Sequence, residues 1–253
     1  MMGKNSNNSV ERNVVWYILL FSFIMNLLMT YTIFYKTDIY AKLRYRLGYG
    51  ENPVIVYKHK TEFRCLQGWT NTLSKLNLEA DAVFYGNSLT YESDFRDYFP
   101  NMKIVNLGCN MDMLDDLINR VYMIRTVDPK RIFVLGGINY FKETPIDSFY
   151  IKYQTLVDSI TLQNPKAKVF LQSLLPVNPT IGVGTIYSDC IDKIKNANEI
   201  ICKIANEKGC EYVDLYSAYQ VNDTLPLKYT RDGLHLFPDY YSIWAASIKP
   251  YME

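Results

Sequence analysis

From residue 81 onward, short apolar runs alternate with longer amphipathic stretches. DAVFYG at 81–86, KIVNLG at 103–108, RIFVLGG at 131–137, KVFLQSLLP at 168–176 and EYVDLY at 211–216 read as five buried strands. Helical patterns fall near 90–98, 112–126, 146–163, 188–208 and 239–249. Strands alternating with helices predict an α/β domain whose parallel sheet is covered on both faces. Such sheets hold their ligands beyond the carboxyl ends of the strands, so functional residues are expected just after each apolar run.

The N-terminal pattern differs. Val14–Tyr35 is a 22-residue run without a charge, long enough at about 1.5 Å per residue to cross a hydrocarbon core of about 30 Å. Asn26 is the one strongly polar residue inside it, and Trp16, Tyr17, Tyr31 and Tyr35 sit near its ends, where amphipathic rings favour a membrane interface. A cleaved signal peptide has a shorter apolar region and a small-residue cleavage site, so the run reads as an uncleaved transmembrane helix. Lys4 and Arg12 precede it, while Lys36, Lys42, Arg44 and Arg46 follow. Charge counting alone keeps the following domain inside, whereas a short tail before an apolar stretch has the form of a bacterial signal-anchor whose domain is exported. Export is the expectation adopted. The chain therefore divides into an N-terminal tail (1–13), an anchor (14–35), a basic juxtamembrane linker (36–68) suited to anionic headgroups, and one domain (69–253). Gly48, Gly50 and Pro53 interrupt any periodic pattern in that linker.

Composition sharpens this picture. The 253 residues are 49% hydrophobic and 21% charged, which excludes disorder and a disulfide-dense mini-protein. The net charge of +1 is unevenly spread: residues 1–64 hold nine Lys/Arg and four Asp/Glu, leaving 18 basic against 22 acidic residues in the remainder. That balance argues against nucleic acid as a partner. Cys65, Cys109, Cys190, Cys202 and Cys210 lack the paired spacing of a zinc site and read as packed thiols, with Cys202 and Cys210 the one pair an oxidising compartment could close.

The candidate chemistry falls where the pattern places it. The first apolar run ends in Gly86-Asn87-Ser88-Leu89, the second in Asn106-Leu107-Gly108 and the third in Gly137-Ile138-Asn139, while Asp232-Gly233-Leu234-His235 lies near the C-terminus. A serine at a strand-to-helix turn is presented at the sheet edge, where a base can take its proton. Only two histidines are present. His59 lies between Lys58 and Lys60, whose charges are expected to disfavour its protonation, which leaves His235 as base. Asp232, three residues earlier, can orient the imidazole; Asp214 is a rival acid, with a structural hydrogen-bonding role the stronger expectation. Taken singly, each glycine can serve only a tight turn, Asn139 a turn and Ser88 a helix N-cap.

The ordered set Ser, Gly, Asn and Asp-x-x-His resembles the SGNH hydrolases, or GDSL esterase/lipase family, over roughly residues 80–250. The resemblance implies a flavodoxin-like three-layer α/β/α sandwich on a five-stranded parallel sheet. It implies nucleophile Ser88, base His235 and acid Asp232, with an oxyanion hole from the N–H groups of Ser88 and Gly108 and the Asn139 side chain. It calls for no cofactor and no metal. Ser173–Val177, Ile194–Asn198 and Tyr229–His235, followed by Tyr241 and Trp244, look most like the small-acyl esterase and acetylhydrolase-like branch. Three positions depart from the family pattern: Asn87 for an aspartate, Met111 for a second glycine, and Tyr140 for an aspartate. Met111 and Tyr140 are expected to narrow the acyl pocket if they point inward. The function expected is hydrolysis of short acyl esters, O-acetyl groups on a carbohydrate foremost. A lysophospholipase or lipase-like acylhydrolase, an acyltransferase and a non-catalytic tethered binding module stand as alternatives.

Overall fold

A computed structural model describes residues 5–36, 39–48, 53–142 and 146–252. Lys4 in the expected tail and Gly50 in the expected linker lie outside these.

Five parallel strands form the sheet: β1 (Ala82–Gly86), β2 (Ile104–Gly108), β3 (Arg131–Leu135), β4 (Lys168–Gln172) and β5 (Glu211–Val213), in the order β2-β1-β3-β4-β5. The order reverses between β2 and β3, with β1 at the switch, where an open α/β sheet leaves a crevice at its carboxyl edge. Strand alternation explains the three layers. Val83 and Tyr85, with Ile132 and Val134, face one core with α5 (Leu114–Asn119), α6 (Phe149–Gln163) and α7 (Ile191–Lys208). Ala82 and Phe84, with Phe133 and Leu135, face the other core with α9 (Tyr241–Ile248). On that second face Phe84, Phe133 and Phe170 stack across adjacent strands, with ring centroids 5.0 and 4.5 Å apart. Trp244 of α9 closes this core and donates its indole N–H to the buried Gln172 Oε1 at 2.5 Å.

Three expectations need correction. The pattern near 90–98 forms only α4 (Ser88–Tyr91) followed by turns. Asn106 Nδ2 takes the carbonyls of Thr90 and Ser93, each at 2.8 Å, and Ser93 Oγ also donates to Thr90 O, so the helix's last acceptors go to β2 and a side-chain cap. The stretch 112–126 is split between α5 and a 3-10 segment, Val121–Val127. The segment read as a linker contains α2 (Ile39–Arg46) and α3 (Pro53–Lys75), and α3 buries Leu66 in the first core. Pro53 suits the first helical position because the N–H it lacks has no intrahelical partner there.

The chain separates into two compact units, 1–58 and 59–253. In the first, α1 (Asn5–Lys36) contains a 20-residue apolar span, Asn13–Thr32, of mean hydropathy 1.9. Within it Asn26 Nδ2 donates to Ser22 O at 2.9 Å and Thr32 Oγ1 to Leu28 O at 2.7 Å, so polar side chains are satisfied inside the helix. Length and composition suit both a membrane anchor and a signal sequence.

Candidate active site

Ser88 opens α4 immediately after β1. Asn87, in extended conformation at the N-cap, accepts the Leu89 N–H on Oδ1 at 3.1 Å and aims the next residue out of the turn. The close fit of this turn requires Gly108 on β2: a Cβ there would stand 2.2 Å from Tyr91 N.

His235 reaches Ser88 from the C-terminal loop, with Nε2 3.0 Å from Ser88 Oγ and Nδ1 2.7 Å from Asp232 Oδ2. The loop is braced from within. Asp232 Oδ1 accepts the N–H groups of Leu234 (3.0 Å) and His235 (2.8 Å). Thr230 Oγ1 donates to His235 O at 2.7 Å and accepts from Gly233 N at 2.8 Å, and Gly233 takes the left-handed φ of +87°. Gly184 N–H donates to Asp232 O at 2.8 Å, tying the loop to segment 178–184. Burial pushes the Asp232 carboxyl up, but its hydrogen bonds from His235 and Leu234 outweigh this and hold it below the usual carboxylate range. Asp232 is thus ionised and bonded to the imidazole N–H face, the arrangement that stabilises an imidazolium.

Asn139 lies in the 3-10 turn Ile138–Lys142 after β3, and is buried. Its Nδ2 donates to Asp112 O at 3.0 Å, and Tyr187 OH donates to its Oδ1 at 3.2 Å, which orients the amide and leaves one N–H of Nδ2 uncommitted by these bonds. Burial raises the Tyr187 hydroxyl pKa, so it remains a donor.

The Gly108 N–H, expected as an oxyanion donor, is bonded here to Asn106 Oδ1 at 2.8 Å. The loop that follows turns at Met111, where φ is +67° and Asp112 N–H donates back to Cys109 O at 3.4 Å. Tyr140 also departs from expectation. Its side chain is buried against Phe141 and Phe149 and hydrogen-bonded to Ser148, so it fills the core rather than the acyl pocket. Asp214 accepts the N–H and hydroxyl of Ser217, at 3.0 and 2.6 Å, and has no bond to His235.

Beneath this edge lies a cluster the sequence did not flag. The buried Arg120 guanidinium donates to Asp112 Oδ2 at 2.5 Å, Leu107 O at 2.8 Å and Gly86 O at 2.9 Å, and lies 4.3 Å from the centroid of the Tyr85 ring. His59 Nε2 sits 2.9 Å from Asp112 Oδ1. The expectation that Lys58 and Lys60 disfavour protonation of His59 is reversed in direction by this contact. Its hydrogen bond to Asp112 raises the pKa above the ordinary histidine value against the opposing effect of burial, with the charges of Asp112, Asp116 and Glu62 adding to the rise. Cys109 also lies here, its thiol pushed up to about 12 by burial first and by Asp112 second. His59, Cys109 and Asp112 bring one potential ligand atom each within 4.8 Å of one another. Both Asp112 oxygens are already engaged, by a guanidinium and an imidazole, and the thiol is held protonated, so the cluster is built as an ion pair. A buried arginine in the apolar stretch LINRVYMIRTV was the only advance sign of it.

A GDSL-like lipase/acylhydrolase family model matches residues 67–243. No curated protein sequence matches the chain. Among solved structures, a provisionally assigned platelet activating factor from Streptococcus pneumonia superposes with TM-score 0.67 at 22% identity, covering 80% of this chain and 100% of that one. A GDSL-like lipase from Bacteroides thetaiotaomicron gives 0.63 at 22% identity, covering 74% and 96%. An acetyl xylan esterase from Geobacillus stearothermophilus gives 0.55 at 15% identity, covering 70% and 96%. These likenesses show a shared fold, and the family match spans the strands, the turn that carries Ser88 and the loop that carries His235 alike. The chain belongs to the GDSL-like lipase/acylhydrolase family and is a serine ester hydrolase.

Proposed function

We propose that this protein is a membrane-anchored esterase that removes short acyl groups, O-acetyl groups on a carbohydrate foremost, through an acyl-Ser88 intermediate. The observation that carries the reading is the continuous path from Ser88 Oγ through His235 to Asp232, at 3.0 and 2.7 Å. Ser88 Oγ attacks the ester carbonyl as its proton passes to His235 Nε2, and Asp232 stabilises the imidazolium. The tetrahedral oxyanion is met by the Ser88 N–H, which lies in the first turn of α4 and has no intrahelical partner, and by Asn139 Nδ2. His235 then protonates the leaving alcohol, the carbonyl re-forms, and water hydrolyses acyl-Ser88 by the reverse steps. The chemistry uses only these side chains and backbone donors.

The carbohydrate assignment draws on the small-acyl character of the motif resemblance and on the acetyl xylan esterase among the structural neighbours. The apolar span Asn13–Thr32 supports an anchor; with the domain exported, as the short tail ahead of that span suits, it is within reach of glycans. Rapid quenching of the full-length chain with p-nitrophenyl acetate, followed by peptide mass spectrometry, tests the intermediate. One added acetyl group is expected on the Ser88 peptide; turnover with acetyl found elsewhere, or on no residue, contradicts it. Extraction tests the anchor, since the intact chain should require detergent, whereas a soluble chain shortened at its N-terminus identifies a cleaved signal.

A further inference from the structure

Three separate segments meet at the reacting edge: the turn after β1 that carries Ser88, the loop after β2 that carries Met111, and the turn after β3 that carries Asn139. One buried pair joins them. Arg120 holds Gly86 O, two residues before the nucleophile, and Leu107 O at the end of β2. Asp112 offers its carboxylate to Arg120 and its own carbonyl to Asn139 Nδ2. A carboxylate held on one oxygen can still pivot about that contact, and its backbone with it. The second oxygen is held from outside these three segments, by His59 of α3 at 2.9 Å. Asp112 is fully buried, whereas the His59 side chain keeps 23% of its surface exposed, so this contact closes the cluster at the protein surface.

We propose that His59 is a positioning residue for ester hydrolysis: through the Asp112 carboxylate it fixes the loop backbone at 111–112 and the Asn139 amide bonded to it. The inference rests on the reading of Ser88 as nucleophile and Asn139 as oxyanion donor. Its physical content is differential. An acyl substrate does not need that geometry to bind, but the developing oxyanion does, so loss of His59 falls on kcat and spares KM. Because the site reaches solvent, water can solvate the vacated Asp112 oxygen, and the fold survives the substitution.

The test is steady-state hydrolysis of p-nitrophenyl acetate by the full-length chain in detergent, comparing His59→Ala, His59→Gln, Leu66→Ala and Ser88→Ala. His59→Ala should lower kcat about tenfold with KM changed by no more than about twofold, the size expected of a slight misplacement at the reacting centre. His59→Gln retains an N–H donor toward Asp112 and should recover most of the loss. Leu66→Ala loosens α3 in the core without touching Asp112; it should lower Tm at least as much as His59→Ala while keeping kcat. Wild-type kcat in His59→Ala overturns the proposal, as does a Leu66→Ala loss of kcat equal to that of His59→Ala. Turnover by Ser88→Ala overturns the underlying catalytic reading instead, whatever the His59 variants do.

Discussion

Asp112 Oδ2 and Arg120 Nε lie 2.5 Å apart, and neither side chain reaches solvent. Removing one member of such a pair leaves a buried charge without compensation, which typically costs about 3–5 kcal/mol. Arg120→Met should therefore destabilise by that order, all the more because the carbonyls of Gly86 and Leu107 lose their donor as well. The double variant Arg120→Met/Asp112→Leu should recover part of the loss, since no charge is then stranded. Urea unfolding of the three proteins checks the order.

Asp232 and Asp214 should separate cleanly. Asp232→Ala removes the partner of His235 Nδ1 and should cut kcat by about three to four orders of magnitude, leaving the residual rate that binding and oxyanion donors supply. Asp214→Ala removes only the two Ser217 contacts at an exposed corner and should cost about 1 kcal/mol of stability with kcat unchanged. Kinetics and thermal melts on both variants decide the assignment; a folded, inactive Asp214→Ala beside an active Asp232→Ala would reverse it.

At Met111 a side chain sits on a left-handed turn that glycine adopts without cost. Met111→Gly should relieve about 1 kcal/mol of backbone strain, offset in part by the greater entropy of the unfolded chain. A Tm equal to or above that of the parent is expected. A fall of several degrees would mean that the partly exposed Met111 side chain contributes packing outweighing the strain.

Two groups should shape stability in different pH windows. The folded pKa of His59 is raised, so its contribution is complete below the unfolded value of about 6.5 and is lost as pH rises through the higher folded value. The folded pKa of Asp232 is lowered, so its contribution is present above about 3.9 and is lost as pH falls through the lower folded value. Tm measured from pH 3 to 9 should show His59→Gln flattening only the alkaline side, and Asp232→Asn only the acid side.

Most of the sheet was legible because five apolar runs of strand length alternate with amphipathic segments; Ser88 and Asn139 announce themselves as motif residues after strands, and Asp232 and His235 as an Asp-x-x-His pair in the C-terminal loop. Three things were not. The donor state of Gly108 depends on Asn106, whose side chain folds back onto its own strand's end. The inward turn of Tyr140 depends on an aromatic cluster with Phe149, a residue from the following helix. His59 looked like a linker residue because its Lys neighbours are adjacent in sequence, while its carboxylate partner is 53 residues away. Local pattern reports backbone period and turn chemistry; it carries no record of long-range hydrogen bonds.

The acyl-chain dependence of kcat/KM on p-nitrophenyl esters tests most directly whether this is a short-chain esterase. Each methylene accepted by an apolar pocket adds about 1 kcal/mol to binding, so a long-chain enzyme improves steeply along the series. The expected result is a maximum at acetyl or propionyl and a fall of about tenfold or more by octanoyl. A rise through octanoyl would contradict the acetylesterase reading and identify a lipase working at the membrane surface.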